Sequence, residues 1–485
     1  MGIGKGKHAV VVGAGLCGSL AAVMLARRGY RVTVLERRGD LRKLAGSAGR
    51  SINLALSTRG IRALAAVGLD QAVLATTLPM AGRRMHALDG TLSFQPYGQP
   101  GQAIRSVSRR LLNETLLDAA EAEPAVALRF GCRVEDLDLD APAVVVQGDD
   151  GREERIEADL ILGADGIFSA VRGRLMRQDR FDYEQLYLEH GYKELELQPT
   201  AGGDFAMDPG ALHIWPRRDY MLIGLPNQDR SFTMTLFARW EGPDSFAEAG
   251  EGAQAAAWFA ERFPDAAALL PDLLEQWQRN PTSSLATIRC HPFHHGGKVA
   301  LIGDAAHAVV PFYGQGMNAA FESARLLVET LDAHDGDTNA ALPAFTARRK
   351  ADADAIRQLA LDNFVEMRAN VADPRFLLRR RLGRLLEAEA GEHFRPLYSL
   401  VTFSNLPYDL ALRLGRARER WLDGFLGAEG AAPPDDAALS ALARRLAEQL
   451  RDGSAPAAVR NPDEEKGTDD EKSAGEPAGA AQERP

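Results

Sequence analysis

The sequence predicts an α/β protein: a discontinuous Rossmann-like nucleotide-binding domain, a β-sheet domain inserted into it, and a C-terminal helical region. Three observations predict this. The chain opens with a strand, a glycine turn, a helix and a second strand; strand-loop-helix segments of the same kind return twice, far downstream; and the stretch between them is strand-rich and broken by turns.

The opening unit reads as a strand at His8–Val12, a turn over 13–18, a helix over 19–29 and a strand over 30–36. A helical stretch follows over 58–74. Strand patterns then occupy 83–97 and 187–237, the latter with turns at Pro216-Arg217-Arg218-Asp219 and Pro226-Asn227-Gln228-Asp229. Strands of the opening type recur at 159–166 and 298–304. These returns place 1–75, 99–180 and 285–341 in the nucleotide domain, and 76–98 with 181–284 in the inserted sheet domain. Residues 342–450 read as helical, rich in Leu, Ala, Arg and Glu and punctuated by Pro374, Pro396 and Pro407. Residues 451–485 hold no Leu, Ile, Met or aromatic residue, so burial cannot offset their ordering entropy and a disordered tail is expected.

Composition narrows the function. With 45% hydrophobic and 26% charged residues the chain is an ordinary globular protein. A net charge of −10 gives nucleic acid or anionic lipid no average attraction. Cys17, Cys132 and Cys290 are odd in number and lack paired spacing, which argues against disulfides and zinc and suits a reducing cytoplasm. His291, His294 and His295 cluster without a cysteine or carboxylate at ligand spacing, so no metal is expected. No apolar run approaches the roughly 18 residues of a membrane span; the apolar 8–26 stretch is interrupted by glycines.

Those glycines carry chemistry. Gly13-Ala14-Gly15-Leu16-Cys17-Gly18 has the GxGxxG form between a strand and a helix, and Glu36 ends the next strand about 20 positions on, where a carboxylate can accept a hydrogen bond from a ribose. NAD and FAD both fit this motif. Later segments favour FAD: Leu162-Gly163-Ala164-Asp165-Gly166 ends one strand, and Gly303-Asp304-Ala305-Ala306-His307-Ala308 ends another, followed by 311–318 and a helix. Asp304 at a strand end can take a ribityl hydroxyl. The helix start after Gly314 offers N–H groups and a positive dipole end to a flavin ring gaining negative charge.

These three motifs in this order resemble the single-component flavoprotein aromatic hydroxylases. Segments 49–57, 181–183, 213–217, 311–318 and 363–368 narrow the resemblance to the kynurenine 3-monooxygenase branch of that family, over roughly residues 8–405. The resemblance implies FAD as cofactor and NADPH as a transient reductant with no Rossmann domain of its own. It implies hydroxylation of L-kynurenine to 3-hydroxy-L-kynurenine with O2, through a flavin hydroperoxide. It also implies cofactor contacts from Gly13, Gly15, Leu16, Cys17, Gly18, Glu36, Arg37, Arg38 and Ala55, then from Arg109, Val134, Asp165, Ala170, Asp304, Gly316, Met317 and Asn318.

For the substrate the resemblance implies Arg83 and Tyr97 on the amino-acid carboxylate, with Asn363 and Tyr398 completing the polar end. It sets the aromatic ring against Leu212, Met221, Ile223, Leu225, Phe237, Pro311, Phe312 and Met367. A guanidinium forks onto a carboxylate, so an arginine suits that place. Arg84 is the rival of Arg83: on a strand the two face opposite sides and one alone points inward. No catalytic side chain is expected, because the chemistry is flavin-borne, and His307 is read as structural or flavin-adjacent rather than as a base. The family's eukaryotic members end in a membrane anchor; the polar tail here implies a soluble, cytoplasmic protein of bacterial type, and a homodimer is allowed. Two rival readings are a flavin hydroxylase for another aromatic acid and a non-catalytic nucleotide-binding protein on the same fold.

Overall fold

The computed structural model describes residues 2–43, 53–369, 374–426 and 434–461. Residues 49–52 of the 49–57 motif, the side chain of Arg368, and residues 462–485 of the expected tail lie outside the described residues. The chain forms two compact units, Met1–Ala372 with Thr402–Asp409, and Asp373–Val401 with Leu410–Pro485.

In the first unit a six-stranded sheet runs in the order His294–His295, Val299–Leu301, Leu160–Gly163, His8–Val12, Arg31–Glu36, Val126–Phe130. All pairings are parallel except that of the His294–His295 edge. The His8–Val12 strand is buried along its whole length, as the unbroken Ala-Val-Val-Val run requires of a strand covered on both faces. The helix Leu16–Ala26 is buried from Cys17 to Ala26, so its small and aliphatic residues are apolar all round rather than amphipathic. Of the two downstream returns of the opening pattern, Leu160–Gly163 pairs with the first strand and Val299–Leu301 with Leu160–Gly163, so segments distant in sequence end side by side in one sheet.

A seven-stranded sheet is built from Ser283–His291, Asp182–Leu197, Phe232–Arg239, Tyr220–Pro226, Ala211–Arg217, Gly82–His86 and Leu92–Pro96, in that order. Pairing is antiparallel except between Ala211–Arg217 and Gly82–His86. One face packs Trp215, Tyr220, Leu222, Phe232 and Leu236 against Trp258, Phe259, Phe263 and Trp277. The latter come from the helices Gly252–Arg262 and Leu273–Arg279 and from Phe263 between helices, in a segment of four helices over 246–279 that the strand-based reading of 181–284 did not anticipate. The opposite face, also buried, carries Arg83, Met221, Leu225 and Phe237, the last against Phe312. Two three-stranded sheets complete the β structure, one of Cys132–Asp138, Ala143–Gly148 and Glu153–Glu157, the other of Asn53–Leu56, Leu78–Met80 and Ile104–Ser108. Two long helices, Gly316–Ala333 and Thr338–Ala369, close the first unit.

In the second unit Leu382, Leu386, Phe394, Leu422, Leu439, Leu446 and Leu450 form a separate core. The three prolines mark helix starts: Pro374 opens Pro374–Ala390, while Pro396 and Pro407 directly precede Leu397–Thr402 and Tyr408–Asp423. Regular structure continues past 451, where the tail was expected to begin. The turn Ala457–Val459 is held by burial of Val459 and by Arg418 Nε donating to the Val459 carbonyl at 2.8 Å. A single apolar side chain with one buried guanidinium suffices there, and average composition concealed it. Among the described residues no helix is long and apolar enough to cross a membrane.

Candidate active site

The glycine turn shows why each glycine is there. Gly13 has φ +102°, and a Cβ on it would lie 2.6 Å from the Ala164 carbonyl oxygen. A Cβ on Gly18 would lie 2.0 Å from the Gly13 oxygen. Gly15 is different: its φ is −74° and no protein atom lies within 4 Å of its Cβ position, so packing does not require glycine. What it keeps clear is the approach to the N-terminus of the helix that Leu16 and Cys17 begin, the place where a pyrophosphate docks. Glu36 is buried and accepts from Ala14 N at 3.1 Å and from Arg38 N at 3.0 Å. Arg37 is exposed, and Arg38 reaches back from the surface to pair with Glu36. The Cys17 thiol is buried, donates to Ala320 O and has its pKa pushed up by burial, so it is a packing group and not a reactive one.

The second and third motifs meet this turn. Asp304 is exposed although Gly303 and Ala305 on either side are buried, so its carboxylate looks into the crevice. Protein massed around that opening desolvates the carboxylate although solvent still reaches it, which raises its pKa, and the charge of Arg109 opposes the rise. Asp165 turns inward instead: it accepts from Ser169 Oγ at 2.6 Å and Ala170 N at 2.7 Å, capping the helix Ala170–Leu175. Burial raises its pKa and those hydrogen bonds oppose the rise. Val134 is a core residue of the Cys132–Asp138 strand. Asn318 spends its amide on the scaffold, donating to Ala55 O and Gly314 O and accepting from Ser57 N. It ties the Asn53–Leu56 strand to the helix that Gly316 and Met317 open, leaving the backbone N–H groups of that helix start as the contribution toward a ligand.

The other face of the seven-stranded sheet gathers the substrate candidates. Register pairs Leu212 with Arg83 and Met221 with Phe237, and alternation puts Met221, Ile223 and Leu225 on the same side. Arg83 is 4% exposed and its guanidinium lies 5.4 Å from the Tyr97 ring centre, whereas Arg84 is half-buried on the other side and pairs with Asp208 at 2.8 Å. The inward arginine is therefore Arg83. Phe312 stands 4.9 Å from Phe237 between ring centres and stacks on Phe364 at 4.1 Å. Asn363 donates to the Phe312 carbonyl at 2.6 Å and to the sulfur of Met367 at 3.2 Å, so those three form one cluster. Pro311 beside them is exposed. Tyr398 belongs to the second unit, in the helix Leu397–Thr402.

Two groups of residues were missed in the sequence. Phe364 sits inside the quoted 363–368 segment but reads as one more apolar helix position. Arg59, Glu322 and Arg349 form a buried ion cluster, at 2.9 and 2.7 Å, with Tyr408 under Arg59 and bonded to Gln315, the residue preceding the Gly316 helix. Arg59 lies 263 positions from Glu322, and Arg349 lies 27 beyond it on another helix, so no local pattern links them. His307 donates or accepts at Ser323 Oγ, 2.8 Å away, and burial holds its pKa down at about 3. It is a neutral structural imidazole, in line with the structural reading.

The donor set fits FAD: a clear cradle at Gly15, a buried acid at Glu36, a carboxylate in the crevice at Asp304 and a helix start at Gly316. The model of the FAD binding domain family matches residues 7–360. The fold is shared with 2-methyl-3-hydroxypyridine-5-carboxylic acid oxygenase, at TM-score 0.63 and 23% identity over 86% of this chain and 98% of that one. It is shared also with the tetracycline destructase Tet(51), at TM-score 0.56 and 19% identity over 77% of this chain and 94% of that one. Fold and site together define an FAD-binding monooxygenase. Kynurenine 3-monooxygenase of Myxococcus xanthus is 46% identical over 92% of this chain and 95% of its own length; that of Flavobacterium psychrophilum is 42% identical over 88% and 95%; that of Xanthomonas oryzae pv. oryzae is 43% identical over 91% and 97%. The chain belongs to the kynurenine 3-monooxygenase family.

Proposed function

We propose that this chain hydroxylates the aromatic ring of L-kynurenine to 3-hydroxy-L-kynurenine, with FAD resident and NADPH and O2 consumed. The observation that carries the reading is a buried guanidinium and an apolar wall on one sheet face: Arg83 beside Tyr97, and Met221, Phe237 and Phe312 further along. An amphipathic ligand with a carboxylate at one end and an aromatic ring at the other matches that face. When bound, the flavin supplies activation of O2 with electrons from NADPH.

The protein's own residues do the rest. Arg83 takes the carboxylate through paired, charge-assisted hydrogen bonds, and Tyr97 backs the guanidinium. Phe237, Phe312 and Phe364 pack edge and face around the ring position and keep water out, which favours hydroxylation over loss of the oxidant as peroxide. Asn363 anchors the Phe312 turn, so that the apolar wall and the helix start at Gly316 move as one piece. No side chain need act as general base, because the ring's amino group itself activates the carbon ortho to it. Purified protein supplied with L-kynurenine, NADPH and O2 should yield a product heavier by one oxygen atom. Turnover of a different aromatic acid in preference to kynurenine, or a colourless protein with no flavin, would overturn the reading.

A further inference from the structure

The His213-Ile214-Trp215-Pro216-Arg217 segment stands out in the sequence, yet its alternate side chains face away from the proposed substrate site. They belong to a polar cluster in an otherwise apolar layer. His213 Nε2 donates to the Asp208 carbonyl at 2.9 Å, and its Nδ1 lies 2.9 Å from Nε2 of His86. His86 Nδ1 lies 2.8 Å from the Asp265 carboxylate, which also accepts from Trp215 Nε1 at 2.8 Å. The His86 ring stacks on Trp215 at 4.0 Å, and Arg217 donates to the His86 carbonyl at 3.0 Å. Burial lowers the pKa of both histidines, that of His213 to about 4, so His213 is a neutral link whose Nδ1 accepts from His86 Nε2; at His86, whose two nitrogens both face acceptors, the Asp265 carboxylate opposes the lowering.

All of this grips the Gly82–His86 strand from behind. Arg84 and His86 occupy the far face; Arg84 is tied to the Asp208 carboxylate while the same residue's carbonyl takes His213. Arg83 immediately precedes Arg84, two positions ahead of Met85 and three ahead of His86, and points to the opposite side. A strand gripped on its far face at two alternate residues, Arg84 and His86, resists roll about its axis, and roll is the motion that would swing the adjoining Arg83 guanidinium off its target.

We propose that His86, His213 and Asp265 form a positioning clamp that aims Arg83 at the substrate carboxylate. The proposal rests on the reading of Arg83 as the carboxylate partner. Substrate affinity then depends on residues that never touch substrate, and it does so through one end of the ligand alone.

The test uses holoenzyme and two ligands, L-kynurenine and the amine that lacks its carboxylate, with dissociation constants read from perturbation of flavin absorbance. His86→Phe keeps the ring stack and removes both hydrogen bonds. It should weaken kynurenine about tenfold, the scale of one well-aimed hydrogen bond, and leave the amine unchanged. Added to Arg83→Ala, it should cost nothing further. Asp265→Asn serves as the second variant if His86→Phe does not fold, with the same selective loss expected. Equal weakening of both ligands, or additive effects in the double variant, would overturn the clamp by showing a general structural role. If Arg83→Ala alone leaves kynurenine affinity intact, the substrate reading itself fails; if Arg83→Ala weakens it and neither clamp variant does, the clamp alone fails.

Discussion

Replacing Arg83 by alanine tests the substrate end of the site most directly. The side chain is 4% exposed and stacked near Tyr97, so an anion docking there is largely taken out of water. A carboxylate stripped of water and deprived of its partner loses about 2 to 4 kcal/mol, the span between one lost charge-assisted hydrogen bond and a broken buried pair. At 1.36 kcal/mol per decade this is a dissociation constant raised about 30-fold to 1,000-fold. Arg84→Ala removes a partly exposed pair with Asp208 on the sheet face away from the substrate candidates, worth at most about 1 kcal/mol. Titrating kynurenine into each oxidised holoenzyme while following the flavin spectrum gives both constants. Arg83→Lys should recover part of the loss, since an ammonium keeps the charge and forfeits the fork. Wild-type affinity in Arg83→Ala together with loss in Arg84→Ala would refute the assignment and turn the strand over.

Three other perturbations reach the cofactor crevice and the scaffold. Gly15→Ala should fold with unchanged thermal stability, because its φ is ordinary and nothing in the protein opposes a methyl group, but should lose flavin; Gly18→Ala should lower stability itself, its Cβ meeting the Gly13 oxygen at 2.0 Å. Equal flavin content in Gly15→Ala and wild type would remove the pyrophosphate from that place. His307 stays neutral in the fold down to about pH 3 but takes up a proton at its ordinary 6.5 once unfolded, so the stability it allows is whole above pH 6.5 and is lost as the pH falls. At pH 5.5 the loss is about 1.4 kcal/mol, and His307→Gln should flatten that acid limb in urea titrations at pH 7.5 and 5.5; an unchanged limb would show that another group sets it. Glu322→Gln leaves Arg59 and Arg349, both fully buried, without their shared carboxylate. A cost of about 3 kcal/mol is expected, the low end for a broken buried pair, because Asp352 still stands 3.5 Å from Arg349; urea midpoints within error of wild type would contradict it.

The glycine turn, its strand and its acid were legible because the constraint is local: a positive φ at Gly13 and a Cβ-free approach at Gly18 must be written at fixed spacing. The inserted sheet was legible from alternation, and alternation alone placed Met221, Ile223 and Leu225 on one side. It could not say which side faced a ligand, since both faces are apolar; that choice depends on helices contributed from 246–279, whose own pattern was overlooked. Nor could it separate Arg83 from Arg84, adjacent residues of one type, until the partners Asp208 and Tyr97 were in place. Asn318 shows what a motif leaves unsaid: a polar residue in a cofactor motif invites a ligand contact, and its side-chain amide is engaged by Ala55, Ser57 and Gly314.

That pattern has a common physical origin. A site for a large cofactor and a small amphipathic substrate needs surfaces held to within fractions of an ångström, and a side chain engaged with its own scaffold holds a surface better than one waiting for a ligand. Asp165, Asn318, the side-chain nitrogen of Asn363 and the Arg59–Glu322–Arg349 cluster are all engaged with protein. The groups that look into the crevice, the Asp304 carboxylate and the helix start at Gly316, are few. Buried charge of this kind contributes little net stability, since desolvation cancels most of the attraction; its return is geometry. The residues of such a motif that never reach the ligand can therefore be as intolerant of substitution as those that do, and affinity measured on a truncated ligand is what separates the two.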